Sequence, residues 1–244
     1  MRNKLTYTGH SIILDIGNSF TKLFVTDNVE ILYSATYRTI ADLEKTFALF
    51  PQIKNGIYSV SGNIPCELED FLNEKLENLI HFNSETPVPV NNLYKSPETL
   101  GSDRLAAAVG VNYFFPDTNV MIFDFGTAIT IDFVDNENNY LGGNISPGLL
   151  MRLKSLNFYT NKLPLVKIPD KIEEIGTTTT AAIEFGVVNG IIGETMNYIN
   201  KYVGHKIIFT GGDSFYFAKK IKIPIFVFRN PVVFGLNRVL LICI

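Results

Sequence analysis

The chain carries one acidic hairpin pattern twice, and that repetition restricts its folds more than any other feature. In residues 120–132, VMIFDFGTAITID, a run of apolar and β-prone residues ends in an aspartate, a glycine and a threonine, and a second β-rich run follows. The pattern predicts strand, tight turn, strand. Ile13, Asp15, Gly17, Thr21, Phe24 and Val25 recur 109 positions later as Ile122, Asp124, Gly126, Thr130, Phe133 and Val134. Glycine beside a carboxylate lets the backbone approach a ligand while the acid meets a cation or a phosphorylated group. Two such turns imply a duplicated architecture closing on one ligand.

With 244 residues, 46% of them apolar and 18% charged, the chain has enough material for a sizeable core. The repeat divides it into expected lobes of residues 1–116 and 117–244, with Pro116 and Asp117 at the boundary. A net charge of -3 without a basic stripe argues against nucleic acid as a partner. Cys66 and Cys243 stand far apart with no CxxC spacing, which fits a reducing compartment, so a cytoplasmic location is expected. The first ten residues contain no apolar segment of the secretory kind, and the closing VLLICI is too short to cross a bilayer, so no membrane partner is expected.

Each half reads strand, strand, strand, helix, strand, helix, which predicts a mixed α/β sheet with helices on its faces. After a polar leader over 1–10, the first half is expected to place strands at 11–15, 22–25, 31–33 and 56–60, and helices at 40–50 and 100–115. Leu68, Phe71, Leu72, Leu76, Leu79 and Ile80 fall at helical spacing and predict one surface helix running from Pro65 through them. The second half is expected to carry strands at 120–134, 140–142, 206–210 and 225–228, a GGNISPG loop at 142–148, and helices at 149–156, 180–202 and from about 232.

Asp15, Ile16, Gly17, Asn18, Ser19, Phe20, Thr21 and Lys22 bring backbone amides, short polar side chains, a carboxylate and an amine within eight residues. Such a turn wraps phosphate oxygens, with Lys22 neutralising charge and Asp15 holding a metal. A plain polar hairpin would look the same, and the recurrence at Asp124 is what favours a site. Asp103, at a helix entry, is either a carboxylate favoured by the helix dipole or a general base. Arg104 beside it offers a forked pair of hydrogen bonds to a carboxylate or phosphate. The threonines at 177–180 suit helix capping, and Gly211-Gly212 after a strand is either a ribose-contacting turn or an ordinary one. His10, His81 and His205 lack zinc-ligand spacing, and GxSxG, Walker A and Cys-His signatures are absent.

In their order along the chain, DIGNSFTK at Asp15, YKSPETLGSDR at 94–104, DFGTAITID at Asp124, GGNISPG at Gly142, TTTAAIEFG at 178–186 and TGGD at Thr210 resemble the motifs of the type III pantothenate kinases. That family belongs to the actin-like and sugar-kinase superfamily. The resemblance implies two duplicated actin-like, ribonuclease H-like lobes, mixed sheets flanked by helices, with an ATP cleft between them. It implies transfer of the γ-phosphoryl of ATP, with Mg2+, to pantothenate, the first step of coenzyme A synthesis. Asp15 to Lys22 would bind the ATP phosphates and Thr127 would touch the nucleotide. Tyr94, Gly101, Ser102, Asp103 and Arg104 would line the pantothenate pocket, with Asp103 as general base and Thr179 reaching substrate from the second lobe. Asp124 would bind a monovalent cation, K+ or NH4+, and the enzyme would be a homodimer with pantothenate where the subunits meet. Position 19 is serine where the family more often has threonine, which keeps the hydroxyl. A catalytically silent relative, a sugar kinase or polyphosphate phosphatase of the superfamily, and an actin-like filament former are the rival readings.

Overall fold

The computed structural model of the chain describes residues 9–17, 20–61, 64 and 66–244; the leader residues 1–8 and the loop residues Asn18 and Ser19 lie outside them. The elements begin with β1 (His10–Ile16), β2 (Thr21–Asp27), β3 (Glu30–Tyr37), α1 (Ile40–Leu49), β4 (Asn55–Val60), α2 (Cys66–Lys75), β5 (Asn78–Phe82), β6 (Asn91–Asn92) and α3 (Ser102–Phe114). They continue with β7 (Val120–Phe125), β8 (Ala128–Val134), β9 (Asn139–Pro147), α4 (Leu149–Phe158), α5 (Thr179–Lys201), β10 (Lys206–Thr210), α6 (Ser214–Ala218), β11 (Phe226–Val227) and α7 (Pro231–Cys243). Two compact units result. One comprises Met1–Asp117, Asn138–Tyr140 and Asn230–Ile244, the other Thr118–Glu137 and Leu141–Arg229. No described helix is long and apolar enough to cross a membrane.

In the first unit the sheet order is β3-β2-β1-β4-β5. β1, β2 and β3 form an antiparallel meander, and β4 and β5 run parallel to β1. Strand side chains alternate between faces. Ile12, Leu14 and Ile16 of β1, with Leu23, Val25 and Tyr58, pack against Leu43 of α1 and Leu68 and Leu72 of α2. Asp15, Lys22 and Ser59 therefore fall on the opposite face, the one to which α3 and α7 belong through their contacts with β1 and β4. A one-residue slip would bury the acid in the apolar core, so the alternation fixes the register.

The second unit repeats the plan with β11-β10-β7-β8-β9. β7 and β8 are antiparallel, and β10 and β11 run parallel to β7. Met121, Phe123, Phe125, Ile129 and Ile131 form a core with Leu149, Leu153, Ile183, Val187, Phe209 and Phe217. The Phe125 ring centre lies 4.8 Å from those of both Phe209 and Phe217. Asp124, Thr130 and Thr210 alternate to the other face.

Three elements differ from the sequence expectation. The helix from Pro65 does not reach Ile80: α2 ends at Lys75, and Leu79 and Ile80 lie in β5, paired with Gly56 and Ile57 of β4. The ladder wins because the amides of Glu77 and Asn78 donate to the Lys54 carbonyl and the Asn78 side chain donates to Asn55 at 2.7 Å. Residues 142–147 of the expected loop extend β9 instead. The final helix, expected to close the second lobe, belongs to the first unit, where it packs on α3.

The α3–α7 crossing depends on two glycines. A Cβ at Gly235 would sit 1.8 Å from the Ala106 carbonyl oxygen, and one at Gly110 would sit 2.1 Å from that of Pro231. Thr26 of β2 donates to Asn237 of α7 at 3.1 Å, and the Asn237 amide donates to the Asn28 carbonyl. Because the contact is backbone to backbone, no rotamer change can relieve a methyl there. Gly235→Ala is expected to destabilise the protein by about 1–3 kcal/mol or more, read as a lower urea unfolding midpoint at unchanged slope.

Candidate active site

Asp15 lies between two ladder neighbours, Lys22 of β2 and Ser59 of β4. Its carboxylate is 3.9 Å from the Lys22 ammonium, and the two side chains are 15% and 57% exposed. The turn beyond closes through Gly17, whose amide donates to the Phe20 carbonyl at 3.1 Å. The head of α3 is tied to the same sheet edge, since the Ser102 hydroxyl donates to the Val60 carbonyl of β4 at 3.3 Å. The next residue is Asp103, half-buried, whose Oδ1 accepts the Arg104 amide at 2.8 Å. Gly101 makes room for that carboxylate, because a Cβ there would lie 2.7 Å from Asp103 Oδ1.

Burial raises the pKa of Asp15 above the ordinary carboxylate range; Lys22 works against this, the charge of Asp103 adds to it, and the Ser59 hydroxyl lowers it. Two carboxylates thus act on each other beside one lysine. A buried carboxylate acted on by a second acid and a lysine is a candidate for functional chemistry. Arg104 is only 6% exposed, and its guanidinium carbon lies 5.7 Å from the centre of the Tyr94 ring. A cation over an aromatic face is favourable when desolvated. Asp15, Lys22 and Asp103 are therefore coupled in the first unit, and Tyr94 with Arg104 forms a second group leading from the same helix head.

The second hairpin is not a copy of the first in its chemistry. The ladder partner of Asp15 is Lys22, seven residues on, whereas the partner of Asp124 is Thr130, six residues on. The 109-residue offset holds into the turn and slips by one after it, so a hydroxyl stands where the first hairpin has an ammonium. Around Asp124, three motifs distant in sequence converge. The Gly148 amide donates to the Thr127 carbonyl at 3.1 Å, and a Cβ on Gly148 would lie 2.3 Å from the Gly126 carbonyl oxygen. Gly211 takes φ +88°, and a Cβ there would lie 2.4 Å from Asp124 Oδ1. The Asp213 amide donates to the Phe125 carbonyl at 3.1 Å, and burial raises the pKa of Asp213.

Thr127 is exposed and lines a groove of about 420 Å³ together with Leu150, Met151, Lys154, Ser155, Phe158 and Tyr159. Thr178 caps α5, its hydroxyl accepting the Ala181 amide at 3.2 Å, and Thr179 is the exposed first residue of that helix. The capping expected of this run is thus the work of Thr178. Among the described residues, no three His, Cys, Asp or Glu side chains gather as a metal cage. The carboxylates of Asp15 and Asp124 are oxygen donors of the kind that hard cations take, completing their shells with water or phosphate oxygens.

Sequence reasoning missed Ser59, and a signal existed: it is a polar residue inside an otherwise apolar buried strand, GIYSV. It also missed Arg152 of α4, which pairs with Glu194 of α5 and donates to the Pro147 carbonyl at 2.7 Å and to Ser146 at 3.2 Å. These bonds brace the segment that ends in Gly148.

The family model described as type III pantothenate kinase matches residues 11–201. A type III pantothenate kinase of Phocaeicola vulgatus is 40% identical over 94% of this chain and 97% of its own length. That of Cytophaga hutchinsonii is 36% identical over 94% and 98%. Among solved structures, a protein of Campylobacter jejuni described as a Baf family transcriptional activator superposes with TM-score 0.61 at 23% identity, covering 93% of this chain and 96% of that one. A glucokinase from an Antarctic psychrotroph superposes with TM-score 0.52 at 11% identity, covering 96% and 99%. At such identities the superpositions speak for the fold alone.

The raised pKa of Asp15 gives a stability prediction. Where the folded value lies above the unfolded one, the unfolded chain ionises first as pH rises, so stability is full below the ordinary carboxylate pKa and falls until the folded pKa is passed. Ionised Asp15 is a burden on the fold at neutral pH. Asp15→Asn is expected to unfold at a higher temperature than the parent at pH 7, with the difference shrinking toward pH 4, by thermal unfolding across that range.

Proposed function

The chain belongs to the type III pantothenate kinases, enzymes that carry the γ-phosphoryl group of ATP to pantothenate for coenzyme A synthesis, and we propose how its residues divide that task. The observation that carries the assignment is the coupling of Asp15, Lys22 and Asp103 on one face of the first sheet.

Phosphoryl transfer passes through a loose transition state, so the protein's work is alignment and stabilisation of charge on the phosphate oxygens. The loop from Asp15 to Lys22 holds the ATP phosphates. Lys22, largely exposed on its flexible stem, neutralises them. Asp15 would hold the magnesium that enters with the nucleotide, and the ion would supply positive charge beside two carboxylates and a triphosphate. Asp103 accepts the proton of the attacking primary hydroxyl, which is worth about 10² to 10⁴ in rate for a positioned base. Its place at the head of α3, with Gly101 leaving space beside it, supports that role.

Arg104 takes the pantothenate carboxylate through its planar fork, with the Tyr94 ring against its guanidinium. Gly101 and Ser102 complete this wall of the pocket. From the second unit, Thr127 contacts the nucleotide and Thr179 contacts the acceptor. Asp124 would bind potassium or ammonium; its carboxylate, brought against the backbone at Gly211, is a hard oxygen donor of the kind such an ion takes. The cytoplasm is the location we assign.

Two copies of the chain form the working enzyme. The surface that supports this is the exposed apolar side of α4 and its end, where Leu150, Met151, Phe158 and Tyr159 are 48%, 42%, 79% and 81% exposed. A contiguous apolar surface of this kind marks an interaction site. Phe158→Glu is expected to halve the mass measured by light scattering after size exclusion and to weaken pantothenate saturation.

ADP release with pantothenate as acceptor tests the catalytic assignment. Activity is expected to need a potassium or ammonium salt. Asp103→Asn is expected to lower turnover by about 10² to 10⁴ while ATP binding, followed by titration calorimetry, changes little. Full turnover in that variant would remove Asp103 as the base.

A further inference from the structure

Helix α4 opens on a glycine, and the side chain that steadies this opening is one that the mechanism above does not employ. Gly148 takes the N-cap position with no side chain to cap the helix, since a Cβ there would lie 2.3 Å from the Gly126 carbonyl oxygen and 2.4 Å from that of Thr127. Its amide donates to the Thr127 carbonyl at 3.1 Å. The turn that carries Thr127 thus rests directly on the backbone of residue 148, and backbone packed on backbone passes on the displacement of either side.

Arg152, the fourth residue of α4, holds that backbone from within the helix. Its Nε donates to the Pro147 carbonyl at 2.7 Å, and a terminal nitrogen of the same guanidinium donates to the Ser146 hydroxyl at 3.2 Å and pairs with Glu194 of α5. A cation near a helix N-terminus stands against the helix dipole, and holding an arginine in one geometry costs side-chain entropy. Helix stability alone would not select it there. Glu194 supplies the opposite charge from a 23-residue helix whose Val187, Val188 and Ile191 belong to the core of the second unit. The two side chains are only 21% and 25% exposed, so the pair is screened less than a surface pair. The bonds run from α5 through Arg152 and Pro147 to Gly148 and the Thr127 carbonyl.

We propose that Arg152 is a positioning residue for the nucleotide: anchored by Glu194, its guanidinium fixes residues 146–148, and through the Gly148 amide it fixes the turn from which Thr127 meets ATP. The proposal rests on the reading of Thr127 as a nucleotide contact. A lysine could keep the pair with Glu194 but not the fork that reaches the Pro147 carbonyl and the Ser146 hydroxyl at once. The placing of the turn and the stability of the fold are therefore separable.

The test uses the full chain with Arg152→Lys and with the exchanged pair Arg152→Glu, Glu194→Arg, each checked by thermal unfolding. Both keep opposite charges on α4 and α5, and neither keeps a guanidinium at position 152. ADP release gives KM for ATP and for pantothenate, and amide exchange by NMR follows Gly148. Arg152→Lys is expected to unfold at the parent's temperature while KM for ATP rises about tenfold and the Gly148 amide exchanges about tenfold faster, with KM for pantothenate unchanged. The exchanged pair is expected to behave in the same way. A brace that served stability alone would leave the kinetics of the parent wherever its unfolding temperature is kept. A parent value of KM for ATP or of Gly148 exchange in a folded variant overturns the proposal, as does an equal rise in both KM values; if one variant does not fold, the other decides alone. Thr127→Ala in the same assay separates the two levels of the argument: an unchanged KM for ATP there would defeat the nucleotide reading, while Gly148 exchange in Arg152→Lys would still report on the brace.

Discussion

Two carboxylates whose charges act on each other, with a lysine beside one of them, form the constraint on which the first unit is built. Like charges in a partly dry site repel, and burial alone already disfavours the charged form of Asp15. The fold keeps them there anyway. Strand register puts Asp15 on the face away from the α1–α2 core, and the bond from Ser102 to Val60 keeps the head of α3 at the end of β4. Such a site is less stable than an apolar one would be, the trade of stability for function common at active sites.

The position of α3 traces to its other side. Gly110 and Gly235 let α3 and α7 meet backbone to backbone, and the Asn237 bonds to Thr26 and Asn28 fasten α7 to the β2 end of the sheet. Residues at the end of the chain thereby set the placement of Asp103, more than a hundred positions earlier. This is a reason for the last helix to belong to the first unit. Close backbone packing transmits position rigidly, so a methyl at the crossing would be felt at the helix head as well as in stability.

The second unit uses the same strand plan for a different chemistry. One residue fewer in its turn puts Thr130 opposite Asp124 in place of a lysine, and Gly148 and Gly211 press backbone against the turn from two sides. An ammonium opposite Asp124 would offset the charge of its carboxylate, whereas a hydroxyl carries no charge. The repeat is thus one of scaffold, with charge assigned unequally between its copies.

Much of this was legible in the chain itself. The period-two alternation around Asp15 and Asp124 determined two hairpins with their acids off the core, the six motifs in order determined the family, and glycines with acids at turns identified most of the candidate residues. Element type was legible where the local pattern was long and unambiguous, as in α5 and β10. What the tertiary structure decided was everything settled by a partner far along the chain. Leu79 and Ile80 suit a helical stripe and a strand equally, and only the Lys54 carbonyl and the β4 ladder made them a strand. The one-residue slip between the two hairpins appears only when ladder partners are known, and Ser59 acquires meaning only across the sheet from Asp15. The physical reason is common to all three: periodicity records which way a side chain points, while pairing records what it meets.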